Sequence, residues 1–157
     1  MGTNYYLVSK EKIKNKKDLE ELKNDIIAMI AKKPYLSNLS VYNIKETMDN
    51  LLVDEEDYHI GKNSYGWRFA FASNNFTGLK DFISKFNPEL FVIQDEYDRE
   101  LSLQEFKERV ESTLEAPERD QKGNAVGDPE YTERYYNFVL QSEYNEEGYR
   151  LIEGYFS

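Results

Sequence analysis

Residues 58–73 constrain the fold more than any other stretch, because two apolar-alternating runs flank Asn63-Ser64-Tyr65-Gly66, a tetrad of turn formers whose glycine can take a positive φ. This predicts a β-hairpin with strands over 58–63 and 67–73. Tyr58 and Ile60 share parity on the first strand, and Trp67, Phe69 and Phe71 on the second, so these five are assigned to the core face. Gly61, Ala70 and Ala72 are the small residues of the opposite parity, where a close neighbour can be accepted.

Around the hairpin the apolar period changes repeatedly. Tyr5, Tyr6, Leu7 and Val8 read as a strand, and the basic stretch from Lys10 to Lys17 reads as a loop. Asp18 and Glu21 stand in capping-box spacing ahead of Leu19, Leu22, Ile26, Ile27 and Ile30, which predicts a helix ended by Lys32-Lys33-Pro34. Val41, Ile44, Met48, Leu51 and Leu52 predict a second helix behind Ser40, with a strand over Leu39 to Ile44 as the alternative. Leu79, Phe82, Ile83 and Phe86 mark a short third helix, and the unbroken run from Leu90 to Ile93 is that of a buried strand. Ser102 and Glu105 form another capping box before Leu103, Phe106, Val110 and Leu114. Residues 115–128, with Pro117, Gly123 and Gly127 among charges, read as an exposed loop. The segment 129–142 is balanced between helix and strand, and the last ten residues read as a terminal strand or docking arm. The expectation is a single α+β domain over residues 1–157, a small antiparallel or mixed sheet with three or four helices packed on it.

At 157 residues the chain can bury about 70% of the surface its unfolded form exposes, so no covalent staple is required. It has no cysteine, which removes disulfides, thiolate zinc sites and thiol catalysis and fits a reducing cytoplasm. No run approaches the ~20 apolar residues of a membrane span, so no membrane association is expected. Thirty acidic against twenty basic residues give a net charge of −10, which disfavours direct nucleic-acid binding. Thirteen Tyr, nine Phe and one Trp argue against disorder and supply stiff side chains for a core or an interface.

Three stretches occur together: Met1-Gly2-Thr3-Asn4-Tyr5-Tyr6-Leu7, His59-Ile60-Gly61-Lys62-Asn63-Ser64-Tyr65-Gly66-Trp67-Arg68-Phe69, and Asp95-Glu96-Tyr97-Asp98-Arg99-Glu100-Leu101-Ser102. The combination resembles a family of small tailed-phage and prophage proteins with such a start, a His-Ile-Gly-Lys-x-Ser-x-Gly-Trp-x-Phe segment and an Asp-Glu-Tyr-Gly-like turn. The resemblance implies an origin and no activity. Paired cysteines in that family suggest a zinc knuckle, but this chain has none in the matching interval, so no zinc site carries over. Asp98 stands where the family has glycine.

The candidate binding residues are His59, Lys62, Ser64, Tyr65 and Arg68. His59 is the sole histidine, so it has no second imidazole for a metal, and a structural or interface role outweighs a general base. The turn at Lys62, Asn63, Ser64 and Gly66 matches no phosphate-loop or dinucleotide fingerprint. Asp95, Glu96, Asp98 and Glu100 lack the glycine of a calcium loop and read as a solvated turn. Asp54, Glu55, Glu56 and Asp57, with Glu143, Glu146 and Glu147, are the candidates for an acidic face. No catalytic set, metal or cofactor is assigned. The expected function is that of a phage accessory protein binding a host or defence protein, in a sharper version by an acidic face that mimics nucleic acid. The alternative is a binder of a small nucleotide-like ligand held by Lys62 or Arg68, and an enzyme dependent on His59 comes third.

Overall fold

The computed structural model describes residues 2–36, 41–51, 57–119 and 144–153. Their contacts gather into two compact units, Ser9–Glu56 and a second made of Met1–Val8 with Asp57–Ser157. The chain was expected as one domain, and no linker composition marks this division.

The larger unit carries an open mixed sheet of six strands, in the order β5-β4-β1-β2-β3-β6. These are β1 (Gly2–Ser9), β2 (Tyr58–Ser64), β3 (Ala70–Ala72), β4 (Phe91–Asp95), β5 (Glu100–Leu101) and β6 (Arg150–Ile152). The pairs β1–β2, β2–β3 and β4–β5 are antiparallel, whereas β3–β6 is parallel. The hairpin read from the sequence is present, with Gly61 opposite Phe71 and Lys62 opposite Ala70. Its second strand is shorter than expected. Residues 67–69 belong to the connection, closed by the Trp67 N–H donating to the Ser64 carbonyl at 3.0 Å, with Gly66 at φ 77°.

The parity assignment fails at Tyr58. Tyr5 pairs with Gly61 but Tyr6 pairs with His59, so Ile60 is an extra residue, a β-bulge. The bulge resets the alternation: Ile60 is fully buried while Tyr58 is 53% exposed. Gly61 is buried as well, and the position needs glycine because a Cβ there would run into the Ala70 carbonyl and the Phe69 ring. Trp67, also assigned to the core, is only half-buried.

One aromatic cluster holds this unit together. Phe106 lies 5.5 Å from Tyr5, 5.7 Å from Phe69 and 5.0 Å from Phe82, centroid to centroid, in edge-on and tilted arrangements that suit ring quadrupoles. Phe106 and Val110 come from α4 (Leu103–Ser112), and Leu79 and Phe82 from α3 (Leu79–Lys85); all four join Leu7, Phe71 and Ile93 in the core. The predicted capping box is formed, Ser102 Oγ accepting from the Glu105 N–H at 3.1 Å and Glu105 Oε2 accepting from the Ser102 N–H at 2.7 Å. The expected strand over 90–93 is displaced to β4, and Leu90 is exposed. At the C-terminal end Tyr149 is buried and β6 forms a sheet edge. The segment 129–142, Leu52, and most of the loop read over 115–128 lie outside the described residues, as do Tyr155 and Phe156.

The smaller unit is helical: α1 (Lys10–Lys32), a 3-10 turn at Pro34–Leu36, and α2 (Val41–Asn50). The loop expected over Lys10 to Lys17 is the first third of α1. Ser9 caps it, its Oγ accepting from the Lys12 N–H at 3.3 Å. Lysine is a good helix former and no Gly or Pro interrupts the stretch, so the helix runs through it. Asp18 and Glu21 are therefore interior positions and not a cap. Among the described residues, neither α1 nor α2 contains a buried side chain.

Candidate functional site

The pairing of β1 with β2 sets the candidate residues in their places. Lys62 lies opposite Asn4, Ser64 opposite Gly2, and His59 beside Tyr6 across the bulge. Buried Asn4 is the centre of a polar relay: His59 Nε2 donates to Asn4 Oδ1 at 3.2 Å, and Asn4 Nδ2 donates to Glu96 Oε2 at 3.2 Å. The Tyr6 ring lies 5.1 Å from the imidazole, tilted by 31°. The His59 carbonyl accepts from Asn75 Nδ2 at 2.9 Å. Burial pushes His59 below the ordinary histidine value and the Lys62 charge adds to this, against an opposing backbone contact with Gly61. A ring half-buried, hydrogen-bonded to an amide and packed against a tilted phenol is a positioned structural group, and Asn4 is a member that sequence reasoning missed.

Lys62 and Ser64 continue along β2 into the turn, where Ser64 and Tyr65 border a groove of about 690 Å³. Asn63, Trp67, Ser112 and Glu115 also line it. Tyr65 is 98% exposed. The structure thus brings Ser64 and Tyr65 together, and neither His59 nor Arg68 lines this groove. Arg68 is a structural tie: its Nε donates to the Ala116 carbonyl at 2.9 Å, and its Nη1 donates to Glu118 Oε1 at 3.0 Å and to the Gly148 carbonyl at 3.1 Å.

Beside the groove, Trp67 is flanked by two guanidinium groups, Arg150 at 4.5 Å and Arg119 at 5.3 Å from the ring centroid. Arg119 Nε also donates to the Gly66 carbonyl at 2.9 Å, and Tyr144 Oη accepts from the Arg119 N–H at 2.6 Å. Arg150 is held by its backbone N–H, which donates to the Phe69 carbonyl at 2.9 Å. Its Nε is buried with no hydrogen-bond partner among the described residues. Residues 67, 119 and 150 are far apart in the chain, so no spacing announces this cluster.

The Asp95 turn accounts for its own carboxylate. Asp95 Oδ1 accepts from the N–H groups of Tyr97 at 2.9 Å and Arg99 at 3.1 Å, and Oδ2 from Arg99 Nε at 2.7 Å. Burial works to raise its pKa, yet these backbone N–H groups and the guanidinium together hold it below the usual carboxylate range. Of the acidic candidates, Asp57, Glu146 and Glu147 are described, whereas Asp54, Glu55, Glu56 and Glu143 lie outside the described residues. Glu147 accepts from the Lys80 N–H at 3.3 Å, in the first turn of α3, where a carboxylate is favoured. No helix among the described residues is long and apolar enough to cross a membrane.

The geometry is that of an α+β protein with a polar sheet relay and an aromatic–arginine corner at one hairpin. No family model, curated protein or solved structure matches the chain.

Proposed function

We propose that the chain acts without catalysis as a protein-binding module, a tailed-phage or prophage accessory protein that engages a host or defence protein in the bacterial cytoplasm. The observation that carries this reading is the helical unit Ser9–Glu56, in which no described helical side chain is buried. An amphipathic helix normally hides its apolar stripe. Here Leu22, Met29, Tyr42 and Leu51 are exposed, Tyr42 by 72% and Leu51 by 60%. Tyrosine and methionine are enriched where proteins dock. The family resemblance supplies the phage origin, and the net charge of −10 favours a basic partner.

The test is affinity capture from a lysate of a phage-sensitive bacterium, at low and high salt, with wild-type protein and a Tyr42→Ser/Leu51→Ser variant as bait. A partner retained by wild type and lost by the variant is the expected result. Release of that partner by high salt favours the nucleic-acid-mimicking version, and capture indifferent to salt removes it in favour of apolar docking. A partner held equally by both baits overturns the assignment to the helical unit. The enzyme reading has less behind it, because His59 donates to a neutral amide and packs against the tilted Tyr6 ring.

A further inference from the structure

The groove beside the hairpin turn carries a second binding property, independent of the helical unit. We propose that it binds a neutral saccharide of one or two rings, laid against Tyr65, with its hydroxyls held by Asn63, Ser64, Glu115 and the Trp67 indole N–H.

Three stretches of the sheet unit wall the groove: the start of β1, the turn from Asn63 to Trp67, and the end of α4 with the residues that follow it, as far as Ala116. Its volume, about 690 Å³, lies in the range of small-molecule sites. Such sites are usually apolar with a few polar groups. Here the balance is reversed, and the lining is mostly hydroxyls, an amide, a carboxylate and two aromatic rings. Among the described residues, the side chains of Asn63, Ser64 and Glu115 and the Trp67 indole N–H make no hydrogen bond to the protein. The amide and the hydroxyl both donate and accept, the indole donates and the carboxylate accepts. A ligand that answers all four carries several groups able to do both, as the hydroxyls of a sugar are.

Charge narrows the class. Among the described residues no lysine or arginine lines the groove, and its one charged side chain is Glu115, so an anion is repelled. A cation would seek the aromatic rings, but Trp67 already has the Arg150 and Arg119 guanidinium groups at 4.5 and 5.3 Å from its centroid, and these repel a third positive charge. A neutral ligand meets neither penalty, and Glu115 accepts from its hydroxyls in bonds strengthened by the carboxylate charge. Tyr65 supplies the platform: it is 98% exposed, and the negative face of its ring attracts the C–H edges of a pyranose. A flat base would use the same ring but leave most of the polar groups unmatched.

Trp67 lines the groove and is the sole tryptophan, so its fluorescence reports on the site directly. The experiment titrates the full chain with glucose, N-acetylglucosamine, maltose and cellobiose, and with choline, adenosine and inorganic phosphate for comparison. Magnetisation transfer from protein to ligand protons serves as a second readout for the organic probes. At least one saccharide should bind saturably, with a Kd on the order of 1 mM for an open site, and more tightly than the three comparison probes. Tyr65→Ala should weaken that saccharide by about three- to ten-fold, whereas Tyr65→Phe, which keeps the ring, should retain most of the affinity. Glu115→Gln should weaken it by about ten-fold, because the charge-assisted bonds are lost while the shape is kept. Tyr97→Ala, at an exposed tyrosine outside the groove lining, should change nothing. Silence of all four saccharides in both readouts up to ~0.1 M overturns the proposal. So does choline, adenosine or phosphate binding more tightly than every saccharide, or a saccharide affinity unmoved by both Tyr65→Ala and Glu115→Gln.

Discussion

Burial lowers the His59 pKa from the ordinary histidine value, and this gives stability a pH dependence of known sign. Its folded pKa lies below the ordinary value of 6.5, so the neutral ring's contribution is present above that value and is lost as pH falls through the folded one. Thermal melts at pH 7.5, 6.5 and 5.5 should show a decline that His59→Gln flattens. Asp95 is lowered as well, so its contribution holds above the unfolded value of 3.8 and is lost only in stronger acid, in a separate window. Tyr149 behaves in the opposite direction: burial first, then Glu111 and Glu147, pushes its hydroxyl up to about 12 from 10.0. Stability tied to the neutral phenol is complete below pH 10 and is lost as pH rises toward 12, and Tyr149→Phe should remove that alkaline loss. Asp98 has φ 60°, the left-handed conformation that explains why glycine suits this turn. Asp98→Gly should leave stability unchanged or higher, and Asp98→Val should cost about 1–2 kcal/mol in denaturant titration. Of these residues, the turn around Asp98 was legible as a solvated acidic turn, whereas its left-handed φ was not. The Asn4–His59 contact joins residues 55 apart and has no local signature.

Elements were legible wherever their ends carry side-chain chemistry and obscure where a distant strand decides. The α4 capping box is local, and Ser102→Ala should cost about 1 kcal/mol in urea unfolding. The start of α1 was misread because five lysines between 10 and 17 resemble a solvated loop and oppose the positive end of the helix dipole. Ser9 supplies the cap, and the lysines remain unfavourably placed. Lys10→Glu should therefore raise helical stability by about 0.3–1 kcal/mol at low salt, an effect that 1 M salt abolishes. The bulge at Ile60 was invisible for a different reason. Strict alternation puts Tyr58 and Ile60 on one face, and only the register against β1 reveals the extra residue. Trp67 was drawn toward the core by the same alternation, although the strand containing Phe71 begins three residues later, at Ala70.

At the scale of the whole molecule, the α+β class followed from the mixture of periods, and the sheet's mixed character did not. The parallel pairing of β3 with β6 joins Ala70–Ala72 to a segment about 80 residues further on, which no local pattern encodes. Phe106 touches rings from β1, α3 and the hairpin connection, so Phe106→Ala should lower stability by about 3–5 kcal/mol and unfold the sheet unit as a whole, read by tyrosine near-ultraviolet dichroism. The two units also differ in how their sequence reads: aromatic clustering marks the sheet unit, while the helical unit shows ordinary amphipathic periods with nothing to say that Leu22, Met29, Tyr42 and Leu51 stay exposed.

Leu7 and Tyr58 are direct partners in adjacent strands, so the stretch between them departs from and returns to neighbouring points of the sheet. Topologically, the helical unit occupies the place of a hairpin turn. A strand pair accepts turns of very different length at a loop-closure cost that grows only with the logarithm of length. The helices can accordingly be lengthened, shortened or exchanged without altering the order of any strand.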